Sequence, residues 1–223
     1  MNNSSGRLYK IISFEHAVQI FEKGEIHFSH PSTWDDPYET RLSHRYSKKI
    51  YAQCWCSKGA SDAMWRIYSP NHLGVRIGTS TKLLRDALKP EANKLGMKLR
   101  LGDVTYHTQS EINQEATKIR EDLAEKFILQ RATDLMYMKR DAYDHEFEYR
   151  AVLYFPEAAE EDVVKGLKIK VKAKKLIDSI LIDPRAPDEL AQALIYYFNE
   201  KIGFSKKVQK SVLYKTPKML VVD

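Results

Sequence analysis

Tyr143-Asp-His-Glu-Phe-Glu-Tyr-Arg-Ala-Val-Leu-Tyr-Phe155 is the stretch of the chain that says most about its fold. In a β-strand, side chains two residues apart point to the same face. The spacing therefore predicts a strand with Glu146, Glu148 and Arg150 on one face. Apolar residues follow this polar row at once, which predicts a site at the mouth of a sheet and not an exposed edge.

Two carboxylates this close together suit several kinds of chemistry. They can act as general acid and base, bind a divalent cation, or stabilise a sugar cation. The alternative is a surface strand with charged side chains. Arg150 argues against full exposure, because its guanidinium can pair with a carboxylate and keep it ionised. A functional role is predicted for Glu148 first and for Glu146 second.

A second acidic group lies in Trp34-Asp-Asp-Pro-Tyr-Glu39. Asp before Pro and at helix N-caps is common, so these acids can simply cap a turn and the helix after it. They can also hold Mg²⁺. Asp35 and Asp36, together with Glu146 and Glu148, therefore define an alternative function, a metal-dependent nuclease.

The order of elements predicts an α+β fold. Strands and helices are mixed without regular βαβ alternation, and neither GxGxxG nor GxxxxGK[ST] occurs. A bent, mostly antiparallel core with flanking helices is expected, as one domain over residues 1–223. Residues 110–139 read as one long helical pattern, kinked or in two pieces. A helix from Thr81 is expected to break at Pro90.

Composition is that of an ordinary globular protein, with 223 residues, 43% hydrophobic and 30% charged. No apolar run approaches the length of a membrane span, and the N-terminus lacks the hydrophobic core of a signal peptide. The chain is therefore expected to be cytoplasmic, with no membrane partner.

The net charge of +6 is compatible with a polyanionic partner. Between Lys165 and Leu176, lysines alternate with apolar residues, which predicts a strand with one lysine face. That face is either a solvated edge protected from pairing or a phosphate-binding stripe. Cys54 and Cys56 read as small buried core residues, because no zinc-finger spacing surrounds them.

A third group of candidates is aromatic. Trp65 and Tyr68 lie one helical turn apart and meet on one face. Such a stripe is either core or a wall against which a flat ring stacks. His72, just before a strand that contains glycines, is either a structural histidine or a polar group at the rim of that wall.

The order of these motifs resembles a widespread bacterial family of unknown function with the pattern lYKY, fNDPfE, CfS, MW..Ya..H.G and W.yE.E.R. The matching stretches are Leu8-Tyr-Lys10, Ile26-His-Phe-Ser29, Trp34-Asp-Asp-Pro-Tyr-Glu39, Cys54-Trp-Cys-Ser57, Met64-Trp-Arg-Ile-Tyr68 with His72 and Gly74, and Tyr143 to Arg150. That family is similar to divergent ADP-ribosyltransferases, which have a split, mostly antiparallel β core.

The resemblance implies NAD as substrate and assigns roles to residues. Glu146-Phe-Glu148 matches the late Glu-x-Glu of that superfamily, so Glu148 would be the catalytic glutamate and Glu146 would orient the acceptor. Lys10 or Tyr9 would contact the dinucleotide from the first strand, and Ser57 would be the middle-strand residue. The nicotinamide and base would lie against Trp65, Tyr68 and His72. Arg76, Arg66 or Lys10 would take the pyrophosphate. This reaction requires no metal.

The function expected from the resemblance is an NAD-dependent ADP-ribosyltransferase that acts as an intracellular toxin or phage-defence effector. Its acceptor is expected to be nucleic acid, RNA before DNA, and a toxin of this kind would have an antitoxin partner. The alternatives are the metal-dependent nuclease above and a non-catalytic nucleic-acid-binding module in which the glutamates only pair with lysines and arginines.

Overall fold

The structure is a computed structural model that describes residues 6–44, 46–59, 61–156 and 165–220. The predicted domain extent of 1–223 also includes residues outside these ranges. The strands, in chain order, are β1 (Arg7–Ser13), β2 (Glu25–Ser29), β3 (Ile50–Cys56), β4 (Gly74–Ser80), β5 (Lys98–Asp103), β6 (Thr105–His107), β7 (Met138–Arg140), β8 (Glu148–Tyr154), β9 (Gly166–Lys170), β10 (Ser179–Ile182) and β11 (Lys207–Lys210).

Helices flank these strands. They are α1 (Phe14–Lys23), α2 (Asp62–Tyr68), α3 (Thr81–Lys94), α4 (Gln109–Glu125), α5 (Leu129–Ala132), α6 (Ala173–Leu176) and α7 (Asp188–Tyr196), with a π-helical continuation over Tyr197–Lys201. Short 3₁₀ turns cover Pro31–Thr33, Pro37–Thr40, Ser47–Lys49, Asp134–Tyr137 and Asp141–Glu146. Among the described residues, no helix has the length and apolar character needed to span a membrane.

The strands form a nine-stranded sheet and a separate two-stranded one. The main path runs β11-β10-β4-β1-β3-β2-β9, and β8 pairs with both β3 and β5. Every pairing in the large sheet is antiparallel except that of β10 with β11. The predicted α+β class with a mostly antiparallel core is therefore confirmed.

The large sheet is split along one edge of β3. On its other edge, β3 pairs with β8 over its whole length, from Ile50 to Cys56. On the split edge, β1 meets β3 at the pair Tyr9–Cys56, and β2 meets it at the pair Ser29–Ala52. Strands β1 and β2 therefore diverge from β3 between these two points.

Side chains take over hydrogen bonds that the split removes. The Lys10 ammonium donates to the Cys54 carbonyl at 2.8 Å, and the Gln53 amide donates to the His27 carbonyl at 3.0 Å. Buried backbone groups need such partners, because an unpaired one costs about as much as a lost hydrogen bond. Burial lowers the pKa of Lys10. The Lys10 ammonium thus bridges the split between β1 and β3.

Helix α1 shows how the local sequence fixes the flanking elements. The Ser13 hydroxyl accepts from the His16 backbone N–H at its start, and Gly24 ends it in the left-handed conformation with φ 62°. The helix packs its apolar face on the core beneath β1 and β4, where Ala17, Ile77 and Phe198 are fully buried.

Three predicted elements differ from the structure. The helical pattern over residues 110–139 is in two pieces, α4 and the short α5, but it ends early, because a 3₁₀ turn and the strand β7 replace its last part. Helix α3 continues through Pro90 to Lys94. The lysine strand ends at Lys170, and α6 follows, so the predicted alternation of lysines stops there. Pattern alone missed these boundaries because hydrogen bonding and tertiary packing set them.

Gln53→Leu tests the side-chain bridges across the split. The wild-type amide donates to the His27 carbonyl and accepts from the Trp55 indole N–H at 3.0 Å. We expect the substitution to lower the free energy of unfolding by roughly 1–3 kcal/mol, because it leaves the buried Trp55 indole N–H unpaired and removes one partner of the part-buried His27 carbonyl. Urea unfolding measures the change. Gln114→Leu, at an exposed position of α4, is the control, and an equal small change in both variants would contradict the assignment.

Candidate active site

A pocket of about 170 Å³ lies where β1 and β3 meet at the split. Its walls come from four parts of the chain: β1, β3 with the loop after it, α2 with its N-cap, and the segment that leads into β8. Arg76 of β4 completes it. The lining residues are Tyr9, Lys10, Ile11, Cys54, Trp55, Cys56, Lys58, Gly59, Ser61, Met64, Trp65, Tyr68, Arg76, Glu146 and Glu148.

Seven of the nine residues predicted for the site line this one pocket. They are Tyr9, Lys10, Trp65, Tyr68, Arg76, Glu146 and Glu148. The other two lie outside the lining. The exposed Ser57 binds the Phe147 carbonyl through both its backbone N–H (2.8 Å) and its hydroxyl (2.9 Å). The exposed His72 stands in the turn after α2, with φ 62°.

Glu148 is the most buried acid of the pocket, with only 4% of its surface exposed. The Arg150 guanidinium donates from Nε to Oε1 at 2.7 Å, and the Lys139 ammonium donates to Oε2 at 3.4 Å. Burial alone would raise the pKa of Glu148, but these two cations outweigh it and lower the pKa to about 2. The carboxylate is therefore ionised throughout the physiological range.

Arg150 is fully buried and anchors three segments at once. Besides Glu148, it donates from Nη1 to the Met136 carbonyl and from Nη2 to Glu39 Oε1, both at 2.6 Å. Its guanidinium lies 4.5 Å from the ring centroid of Trp34. Burial keeps the pKa of Glu39 above its ordinary value despite the pairing with Arg150. Glu39 thus serves as an ion-pair partner that fixes the guanidinium.

Glu146 does not lie on the strand with Glu148, so the predicted i, i+2 pairing within one strand is wrong. It ends the 3₁₀ turn over Asp141–Glu146, and Phe147 then reverses the chain in the left-handed region with φ 44°. The two carboxylates still converge, because Lys139 donates to Glu146 Oε2 at 2.6 Å as well as to Glu148. The Tyr68 hydroxyl lies 3.5 Å from Glu146 Oε1.

Lys139 is the site residue that the sequence pattern missed. It lies on β7, inside the stretch expected to be helical, and it is largely buried. Its ammonium bridges both glutamates and lies 4.8 Å from the ring centroid of Tyr143. In the sequence, the feature that could have indicated this role is the basic pair Lys139-Arg140 directly before an acidic and aromatic turn.

Aromatic side chains form the remaining wall. The Arg76 guanidinium lies 4.4 Å from the ring centroid of Tyr9, and the loop at Gly59 packs against that ring so closely that a Cβ would lie 3.1 Å from it. Trp65 is buried, whereas Tyr68 is 45% exposed and open to an incoming group. The wall therefore combines flat apolar surface with one guanidinium. This combination is suited to a ligand that carries an aromatic ring next to a phosphate group.

Cys54 and Cys56 also face the pocket, and neither forms a disulfide. Burial raises the pKa of the Cys54 thiol to about 12, and the neighbouring Glu148 carboxylate adds to the effect. A thiol with so high a pKa stays protonated and is a poor nucleophile. Cys54 is thus a small neutral wall residue.

Three of the four acids of the nuclease alternative, Asp36, Glu146 and Glu148, are occupied by other contacts, and Asp35 is exposed. Asp36 caps the 3₁₀ turn by accepting from the Tyr38 N–H at 3.1 Å and pairs with Arg140 at 3.1 Å. Glu146 and Glu148 share Lys139. Within the described ranges, no group of three or more His, Cys, Asp or Glu side chains is arranged to hold a metal ion. The Asp35, Asp36, Glu146 and Glu148 set is therefore not assembled as ligands.

Residues 64–151 match a family described as "Protein of unknown function (DUF2971)". The predicted resemblance to a family of unknown function is confirmed over that segment, which runs from α2 into β8 and includes both glutamates. A search of curated proteins found no match.

Three solved structures of one protein are similar at low identity. Thermus sp. 2.9 DarT in complex with ADP-ribosylated ssDNA matches with TM-score 0.42 and 9% identity, over 95% of this chain and 96% of that chain. The same protein with NAD+ matches at 0.40 and 10%, over 94% and 98%. With carba-NAD+ it matches at 0.40 and 11%, over 94% and 97%.

The depressed pKa of Glu148 has a consequence for stability. Because the folded pKa of about 2 lies below the ordinary 4.5, the folded state favours the ionised carboxylate. We expect this to contribute roughly 3 kcal/mol above about pH 5, and the contribution to disappear as the pH falls towards about 2.

The measurement is the difference in free energy of unfolding between the wild type and Glu148→Gln, from urea unfolding at several pH values. The difference should shrink steadily on acidification. Glu200→Gln, an exposed control, should show a small and flat difference. A difference between wild type and Glu148→Gln that stays constant with pH would contradict the assigned pKa.

Proposed function

We propose that this chain is an NAD-dependent ADP-ribosyltransferase that modifies nucleic acid. The observation that carries the proposal is the ionised, buried Glu148 carboxylate on the wall of a ring-sized pocket. Loss of nicotinamide from NAD leaves positive charge on the ribose, and a fixed carboxylate stabilises that charge as it develops. Arg150 and Lys139 hold the carboxylate in place, so little reorganisation is needed during the reaction.

The size of the pocket supports a bound ring. Its volume of about 170 Å³ is close to that of a cavity of roughly 150 Å³ that holds one benzene ring. Nicotinamide fits such a space, whereas the whole dinucleotide does not. The adenosine half would therefore lie outside, along the open side of the pocket.

The pyrophosphate is best assigned to Arg76. Of the three basic candidates, Arg66 pairs with Asp62 at 2.8 Å and does not line the pocket, and Lys10 is committed to the Cys54 carbonyl. Arg76 lines the pocket beside the Tyr9 ring. A guanidinium there can bind two phosphate oxygens at once.

The reaction then follows from the two carboxylates. The C1′–N bond of the nicotinamide ribose breaks, and its electron pair leaves with neutral nicotinamide. A nucleophilic N or O of the acceptor forms the new bond to C1′. Glu146, next to the exposed Tyr68, accepts the proton that the acceptor loses. Glu148 stays ionised throughout.

In a cell, such a reaction would make the chain a toxin, as the family resemblance implies. A cell that makes such a toxin needs an antitoxin that neutralises it. We assign no surface of this chain to that partner. The acceptor is proposed at the level of nucleic acid, and RNA and DNA are separate arms of the test.

The decisive experiment is transfer of label from radiolabelled NAD to single-stranded RNA and DNA in the presence of a chelator. We expect labelling by the wild type and a loss of about a hundredfold or more in Glu148→Gln. Glu146→Gln should lose transfer but keep more nicotinamide release than Glu148→Gln. Glu200→Gln should match the wild type.

Other outcomes separate the alternatives. Nucleic-acid cleavage that requires Mg²⁺ and persists without NAD would support the nuclease. Binding without any labelling, unchanged in Glu148→Gln, would support the non-catalytic module. Either result would overturn the transferase proposal.

A further inference from the structure

A second pocket, of about 310 Å³, lies on the opposite face of β1 from the candidate active site. Tyr9 and Ile11 line only the first pocket and Ile12 only the second, whereas Lys10, Cys54 and Trp55 line both and form the boundary between them. Successive side chains of a strand point to opposite faces. The second pocket is enclosed by α1, β1, β2, β3 and β9, and its volume reaches the range of about 300–1,000 Å³ of small-molecule sites.

The floor of the second pocket is apolar and buried. Its deep residues include Ile26, Trp55 and Ile77, with the Gln53 amide among them. The Gln53 amide is already bonded to the His27 carbonyl and the Trp55 indole, so the floor offers mainly apolar surface. Such a floor is suited to the face of a flat heterocycle.

The rim is exposed and cationic. Lys23 and His16 come from α1, His27 from β2 and Lys168 from β9, and all four are exposed. The one acid of the lining, Glu25, is already bound by Lys170 at 2.8 Å. The rim therefore keeps an excess of positive charge that the described side chains of the pocket do not neutralise.

His27 is held in position at this rim. Its ring lies over Gly166 of β9, where a Cβ would come within 2.0 Å of it. Burial lowers the pKa of His27, and the nearby Lys168, His16 and Lys10 lower it further. Two lysines and a second histidine, from three other elements, thus face one imidazole, an arrangement that a bound anion would stabilise.

We propose that this second pocket binds a nucleotide, with the base on the apolar floor and the phosphate on the rim formed by Lys23, His27 and Lys168. The site goes beyond the proposed transferase function, because it lies on the other face from Glu148 and needs no NAD. The nucleotide is either free or part of a nucleic-acid strand.

The test is calorimetric titration of the full chain, without NAD, with uridine 5′-monophosphate, uridine and inorganic phosphate. We expect the nucleotide to bind more tightly than either of its parts. The double variant Lys23→Glu, Lys168→Glu should weaken nucleotide binding at least tenfold. Lys207→Glu, an exposed strand lysine outside the pocket, should leave it unchanged, and thermal unfolding checks that both variants are folded.

A second arm separates the two sources of nucleotide. Binding of single-stranded 12-nucleotide RNA and DNA is measured at several salt concentrations. If a strand occupies the pocket, loss of two phosphate contacts in the double variant should reduce the slope of log affinity against log salt by about 1.4. An unchanged slope with lost mononucleotide binding assigns the pocket to free nucleotides.

Two results would overturn the proposal. One is that neither the mononucleotide nor the strands bind. The other is that the double variant binds both as Lys207→Glu does. Because the titrations contain no NAD, they stand apart from the labelling experiment, and either proposal can fail alone.

Discussion

The buried Arg150 guanidinium is the contact on which the candidate site depends. It joins the carboxylate of Glu148 on its own strand to Glu39 from a distant turn, and its third bond fixes the Met136 carbonyl. A buried charge is costly unless every polar atom finds a partner. Here the partners come from three segments, so the same ion pairs that satisfy the guanidinium also bring those segments to the pocket.

The split of the sheet is the second constraint. Strands β1 and β2 leave β3 at different points, and Lys10 and Gln53 replace hydrogen bonds in the opening. A continuous sheet would have no cavity at this position. The opening gives access to both faces, with the glutamates on one and the basic rim on the other. Lys10, Cys54 and Trp55 line both pockets.

Sequence patterns located the fold class and most of the pocket. Period-two strands and capped helices follow from local chemistry, as Ser13 and Gly24 show at the two ends of α1. The motif order also placed Tyr9, Trp65 and Glu148 together, and the structure brings all three to one cavity. Such motifs are informative because each joins a strand or helix pattern to charged or aromatic side chains that are uncommon in a core.

The remaining features depend on contacts between distant segments. Lys139 acquires its role only because β7 lies beside the glutamates, and no local pattern predicts that neighbour. The left-handed Phe147 breaks the strand that the Glu-x-Glu spacing suggests. Ser57 falls outside the pocket lining because its hydroxyl holds the Phe147 carbonyl. Tertiary packing overrides local periodicity at all three positions.

The most direct test of the central claim is a crystal structure of the chain with a non-cleavable NAD analogue. We expect the nicotinamide to lie among Tyr9, Trp65 and Tyr68, with C1′ of its ribose next to the Glu148 carboxylate. An analogue bound with that carbon away from Glu148, or bound only outside this pocket, would contradict the account.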